Sequence, residues 1–146
     1  MFCAYGLYYA SDARKTLDEV KAWLKSNGRI AVAGPYGPNN QQLFDVVHAS
    51  GVQLSEAVTS SSGSFMLETV LPWAAVNFET LRVSTLVNPV TWTTPQSVLN
   101  YWENTTFYEA GNRARFEALI QEHFKKHEAF VNEKWIMLVE MKDARA

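Results

Sequence analysis

Cys3-Ala4-Tyr5-Gly6-Leu7-Tyr8-Tyr9, a helix-length interval, then Leu24-Lys25-Ser26-Asn27-Gly28-Arg29-Ile30-Ala31-Val32 reads as strand, helix, strand. The first segment is apolar and aromatic and runs into a turn at Gly6. Asp12 is placed to cap a helix expected to continue to about Ser26, because a side-chain carboxylate accepts from the unpaired amides of a first turn. Leu17, Val20 and Leu24 recur at i, i+3 and i+7 and give that helix one apolar face. Asn27-Gly28 supplies a left-handed stop. Arg29-Ile30-Ala31-Val32-Ala33 is nearly all apolar without alternation, the pattern of a strand covered on both faces of a parallel sheet. Such a unit closes as a right-handed crossover.

Downstream, Gly34-Pro35-Tyr36-Gly37-Pro38-Asn39-Asn40 is a loop on turn chemistry alone. A helix follows with Leu43, Val46 and Val47 on one face and Gly51 as its stop. Thr59-Ser60-Ser61-Ser62-Gly63-Ser64 is expected to be a mobile loop. Phe65, Leu67, Val70, Leu71 and Ala74 then predict a helix bent or begun near Pro72. Leu81, Val83, Thr85 and Val87 alternate as a strand expected to end at Asn88-Pro89. Thr94-Pro95 opens a helix packed through Val98, Leu99 and Trp102. A longer helix spans about Asn112 to Lys126, and Phe130 to Met141 is a final strand. The sum is an α/β fold of about four strands and five helices, expected as a single domain over 1–146.

The 146 residues suffice for one hydrophobic core, and 47% apolar with 19% charged residues is an ordinary globular composition. A net charge of −2 and the absence of a basic run argue against a broad nucleic-acid surface. No apolar stretch approaches the roughly 20 residues of a membrane span. With no secretory pattern and a lone Cys3, the expected compartment is the cytoplasm.

The strand ending in Ala4-Tyr5-Gly6-Leu7-Tyr8 and the turn Leu24-Lys25-Ser26-Asn27-Gly28-Arg29 before the next strand are similar to class I S-adenosylmethionine-dependent methyltransferases. There, a leucine-lysine-x-x-glycine-arginine turn leads from the fourth strand's helix into the fifth strand. Asn27 stands where a glycine is common. Gly34 to Asn40, Asn88-Pro89-Val90-Thr91-Trp92 and Phe130-Val131-Asn132-Glu133-Lys134 resemble one small-molecule branch of that family. The resemblance covers the whole chain and implies the downstream half of a Rossmann-like sheet, strands four to seven. The last strand is then antiparallel, inserted between the fifth and sixth, with helices flanking. The glycine-rich turn and the acidic ribose partner of the upstream half have no counterpart, since Gly34-x-x-Gly37 is not G-x-G-x-x-G.

By resemblance, Ala4, Tyr5, Gly6 and Leu7 border the cofactor, S-adenosylmethionine in the parent family. Tyr8, Pro35 and Tyr36 border the methyl acceptor, and from the residues themselves Trp102, Glu103 and Tyr101 are further lining candidates. Packing of strand ends and core explains the same aromatics. Methyl transfer depends on alignment and exclusion of water, so no catalytic side chain is expected. Cys3 reads as a structural thiol. His123 and His127 lie at i, i+4 without the H-E-x-x-H glutamate, so no metal is expected. His48 reads as a helix-end residue, and Asn104-Thr105-Thr106 as an inert glycosylation triplet.

A first strand without its neighbour is an adhesive sheet edge. The expectation is a homodimer, pairing with a separate N-terminal half, or a fragment of a longer enzyme, inactive alone. Met1 inside the expected strand points to truncation or rearrangement. The alternative is a non-enzymatic, self-associating module that binds a small ligand.

Overall fold

A computed structural model describes residues 1–143. Four strands form one sheet, β1 (Phe2–Ala4), β2 (Arg29–Pro35), β3 (Thr80–Trp92) and β4 (Phe130–Lys142), in the order β1-β2-β4-β3. β1 and β2 are parallel, pairing Phe2 with Ala31 and Ala4 with Ala33. β4 is antiparallel to β2, pairing Ile30 with Met141 and Pro35 with Ile136. The inserted, antiparallel last strand is the arrangement the sequence resemblance implies. The chain divides into two compact units, and β3 and β4 contribute residues to both.

The first unit comprises Met1–Asn39, Thr59–Val87 and the chain from Trp135. In it, α1 (Ala13–Ala22) begins where Asp12 Oδ1 accepts from Lys15 N–H at 2.9 Å. It ends at Ala22, four residues before the expected Ser26. Trp23 is 76% exposed, so nothing apolar rewards a further turn there. Asn27 does adopt the left-handed conformation, with φ 61°, one turn later. β2 alternates more than its composition suggests. Ile30 and Val32 are fully buried, whereas Ala31 and Ala33 on the other face are only half-buried. The expectation of a strand covered on both faces is therefore corrected within this unit. Alanine conceals the alternation because it is apolar but leaves little surface exposed.

Thr59 to Ser64 is not a loop. α3 (Glu56–Thr59) runs into π-helical turns at Ser60–Ser64 and Met66–Val70, then into α4 (Leu71–Asn77) with Pro72 in its first turn. Phe65 N–H donates to Ser60 O and Leu71 N–H to Met66 O, five residues back in each case. The serines cost little helix propensity once Ser62 is buried and hydrogen-bonded, and Gly63 permits a close backbone approach. Met66, Val70, Trp73 and Ala74 then face Leu17, Val20, Ile30, Val32, Val139 and Met141 in one core. Each such large apolar side chain contributes about 1.5–3 kcal/mol on burial. Trp73 Nε1–H also donates to Asp18 at 2.8 Å, tying α4 to α1.

β3 continues to Trp92, past the expected stop at Asn88-Pro89. It lies at the sheet edge, where a proline without an N–H breaks no central ladder. The second unit comprises Asn40–Val58 and Asn88–Lys134. It contains α2 (Gln41–Ala49), α5 (Pro95–Glu103) and α6 (Arg113–Phe124). Thr94 caps α5 by accepting from Ser97 N–H, as its sequence predicts. Leu43, Val47, Val98, Leu99, Trp102, Phe116, Ile120 and Phe130 form this unit's core.

Gly34 is a steric requirement of the first core. A Cβ there would lie 2.9 Å from Met66 Sδ, and Met66 is 1% exposed, so it has nowhere to swing. Gly34→Ala is expected to lower unfolding free energy by about 1–3 kcal/mol through overpacking, read as a reduced urea midpoint at unchanged slope.

Candidate functional site

Because β1 and β2 are parallel, their carboxyl ends open on the same side of the sheet, where ligands bind in open α/β folds. Tyr5 N–H donates to Ala33 O at 2.9 Å, extending the ladder one residue beyond β1. Tyr5 itself is left-handed at φ 55°, a conformation that costs a non-glycine residue energy and persists only where surroundings enforce it. The turn throws Ala4, Tyr5 and Gly6 outward, and all three are exposed. A Cβ at Gly6 would make ordinary van der Waals contact with Cys3 Sγ at 3.5 Å and Ala4 O at 3.8 Å. Leu7–Tyr9 then coil into a short 3-10 turn that sends Leu7 into the core at 5% exposure.

Tyr8 is half-buried, edge-on to Phe65 at 5.8 Å and tilted against Tyr9 at 4.7 Å. Burial pushes its phenol up to about 12, helped by the neighbouring Tyr9, Tyr5 and Cys3. Burial raises Tyr5 as well. At the end of β2, Pro35 is buried, and Tyr36 packs edge-on against Trp135 at 5.8 Å. Thus Ala4, Tyr5, Gly6 and Tyr8 form an accessible aromatic shelf. Leu7 and Pro35 are buried and present no surface to it.

A polar knot that no local motif announces holds the turn after β2. Asn39, 7% exposed, donates through Nδ2 to Ser62 Oγ at 2.8 Å and accepts from Trp135 N–H at 3.0 Å. Ser62 Oγ donates to Asn39 O at 3.2 Å, and Gly37 N–H donates to Gly63 O at 2.8 Å. π-turns recur at functional sites. This one anchors the loop beside Tyr36.

Trp102, in the second unit, is fully buried and stacks on Phe116 at 4.1 Å with Tyr108 edge-on at 4.9 Å. It therefore packs a core and offers no face to a ligand. The same unit holds a second polar cluster. Lys134 Nζ donates to Asn40 Oδ1 and, at 2.8 Å, to the Tyr101 hydroxyl. Asn132, wholly buried, donates to Asn40 Oδ1 at 2.8 Å and accepts from Leu43 N–H at 3.2 Å. Glu103 is committed to Arg113 at 2.7 Å. Asn40 and Lys134, more than ninety residues apart in sequence, meet only through the fold.

Cys3 is half-buried against the first core, consistent with a structural thiol. His123 lies in the last turn of α6 and His127 beyond its end, with ring centroids 4.5 Å apart. His123 Nε2 is 3.0 Å from Ala129 O, a contact that needs its proton. No group of three or more metal-ligating side chains occurs among the described residues. No helix among them is long and apolar enough to cross a membrane.

No protein-family model matches the chain, and no curated protein matches it. Solved structures do resemble it. YcgJ of Bacillus subtilis matches with TM-score 0.55 and 15% identity over 99% of this chain and 63% of its own. BH2331 of Bacillus halodurans C-125, described as a candidate methyltransferase, matches with TM-score 0.54 and 11% identity. That match covers 97% of this chain and 62% of BH2331. The chain thus spans less than two thirds of either neighbour. At these identities the likeness is one of fold, and the fold is methyltransferase-like.

The raised Tyr8 phenol has a pH consequence. Unfolded tyrosine loses its proton near 10.0, but folded Tyr8 holds it to about 12. Between those values the folded state binds more protons. Its stabilising share is complete below the unfolded value and is lost as pH rises through the folded one. Absorbance titration at alkaline pH is expected to show a phenol titrating at about 12 that Tyr8→Phe removes.

Proposed function

We propose that this chain is part of an S-adenosylmethionine-dependent methyltransferase acting on a small molecule, and that it is incomplete and inactive alone. The observation that carries the reading is the insertion of β4, antiparallel, beside β2, whose other neighbour, β1, runs parallel to it. The methyltransferase description of BH2331 supports it.

The residues present fit one flank of the cofactor. The exposed shelf of Ala4, Tyr5 and Gly6 offers an aromatic ring and an approachable backbone. Neither residues 4–8 nor residues 34–37 include a carboxylate to hold ribose hydroxyls. When bound, the cofactor supplies a methyl group on a sulfonium. Tyr5 and Tyr8 would shield that end from water, and a ring beside the cation would add about 0.5–2 kcal/mol. Tyr36 would border the acceptor. The remaining grip must come from residues outside this flank. A deprotonated Tyr8 is unavailable as a base at neutral pH, since its phenol holds its proton to about 12.

The test is a titration of the isotope-labelled chain with S-adenosylhomocysteine, followed by amide NMR. Weak, millimolar binding with shifts confined to Ala4, Tyr5, Gly6 and Tyr8 is expected. Shifts centred elsewhere, or none at those four, would overturn the cofactor assignment.

A second reading, self-association without catalysis, is favoured by the β1 edge, where Met1 is 50% and Phe2 67% exposed. Edge pairing through a two-fold axis would give a dimer whose mass doubles in sedimentation and which Phe2→Lys converts to monomer. A monomer at all concentrations would remove this reading.

A further inference from the structure

At the amino ends of β1 and β2, opposite the aromatic shelf, the first unit carries a groove of about 580 Å³. Phe2 and Ala31, paired across β1 and β2, give it an apolar floor. Arg29, Arg82 and Lys142 surround it with positive charge, against a single carboxylate, Glu140. The volume falls in the range of small-ligand sites. Glu140, 3.8 Å from the 79% exposed Arg82 side chain, offsets one of the three cations, so a surplus of positive charge remains.

A second observation comes from strand register. Arg29 on β2 stands directly opposite Lys142 on β4. Like charges directly opposite across strands are destabilising. Neither side chain has an ion-pair partner among the described residues. An anion between them would relieve the repulsion, and an apolar tail would cover Phe2 and Ala31.

We propose that this groove binds a small amphipathic carboxylate, an alkyl or aryl acid whose apolar body covers Phe2 and Ala31 and whose carboxylate sits between Arg29 and Lys142. A second copy of the chain fits less well. A two-fold contact through this face would set the same three cations against themselves. The site is independent of the methyltransferase reading, since it uses none of the shelf residues.

The experiment is calorimetric titration of the full chain with decanoate, decan-1-ol and decyltrimethylammonium, with solution mass recorded on the same sample. Decanoate is expected to saturate one site per chain about tenfold more tightly than decan-1-ol, with an affinity that falls as salt is added. The Arg29→Gln/Lys142→Gln double variant changes an exposed residue, Arg29, and a half-buried one, Lys142, both outside the two cores. It is expected to lose about that tenfold preference while leaving decan-1-ol unchanged. Without ligand it should melt higher than the parent, because the facing cations are gone. Equal affinity for the acid and the alcohol, tighter binding of the ammonium, or no saturable binding would overturn the proposal. So would an unchanged decanoate affinity or a lower melting point in the double variant.

Discussion

The helical segment around Ser62 to Met66 lies against the carboxyl end of β2 because three nearby positions lack a side chain. Gly34 leaves room for the Met66 thioether, and Gly63 leaves 3.2 Å between a would-be Cβ and Gly37 O. Gly37, left-handed at φ 59°, turns its N–H onto Gly63 O. An added Cβ would crowd Met66 Sδ at Gly34 and Gly37 O at Gly63, whereas Gly37 has open space and is favoured there by its left-handed φ. From this seating follow the delivery of Met66 and Val70 to the core, the burial of Ser62 on Asn39, and the packing of Phe65 on Tyr8. The candidate shelf therefore inherits its shape from glycines that touch no ligand.

Much of the fold was legible in local signals. Asp12 and Thr94 announced two helix starts with the same chemistry, a side-chain oxygen accepting from the third residue on. The parallel pair β1 and β2 followed from apolar runs flanking an amphipathic helix, and the antiparallel β4 from family resemblance. Where local reading failed, a distant partner decided the outcome. The serine run looked mobile because its residues are poor helix formers. Asn39 and Gly37, more than twenty residues upstream, satisfy its polar groups. Pro89 looked terminal, but an edge position asks no hydrogen bond of it.

The candidate site was legible in part for the same reason. The run Ala4 to Tyr8 is contiguous, so its place at a strand end could be read directly, though not which of its members would sink into the core. Trp102 shows the limit. An aromatic on a helix face looks alike whether it lines a cavity or stacks on Phe116. The clusters built on Asn39 and on Lys134 join residues from distant segments. No spacing rule could bring Lys134 to Asn40 and Tyr101.

The late position of β4 in the chain also shapes how the protein reaches its native state. Ile30 pairs with Met141 across more than a hundred intervening residues, whereas β1 and β2 lie close in sequence. Pairing of such high contact order forms slowly, because loop-closure entropy is lost before the contacts reward it. On a ribosome, β2 emerges long before its antiparallel neighbour exists. Until Trp135 to Met141 are synthesised, the faces of Ile30 and Val32 lack Val139 and Met141. Until β4 forms, β2 presents an unpaired apolar edge, and vulnerability to aggregation is greatest in that interval.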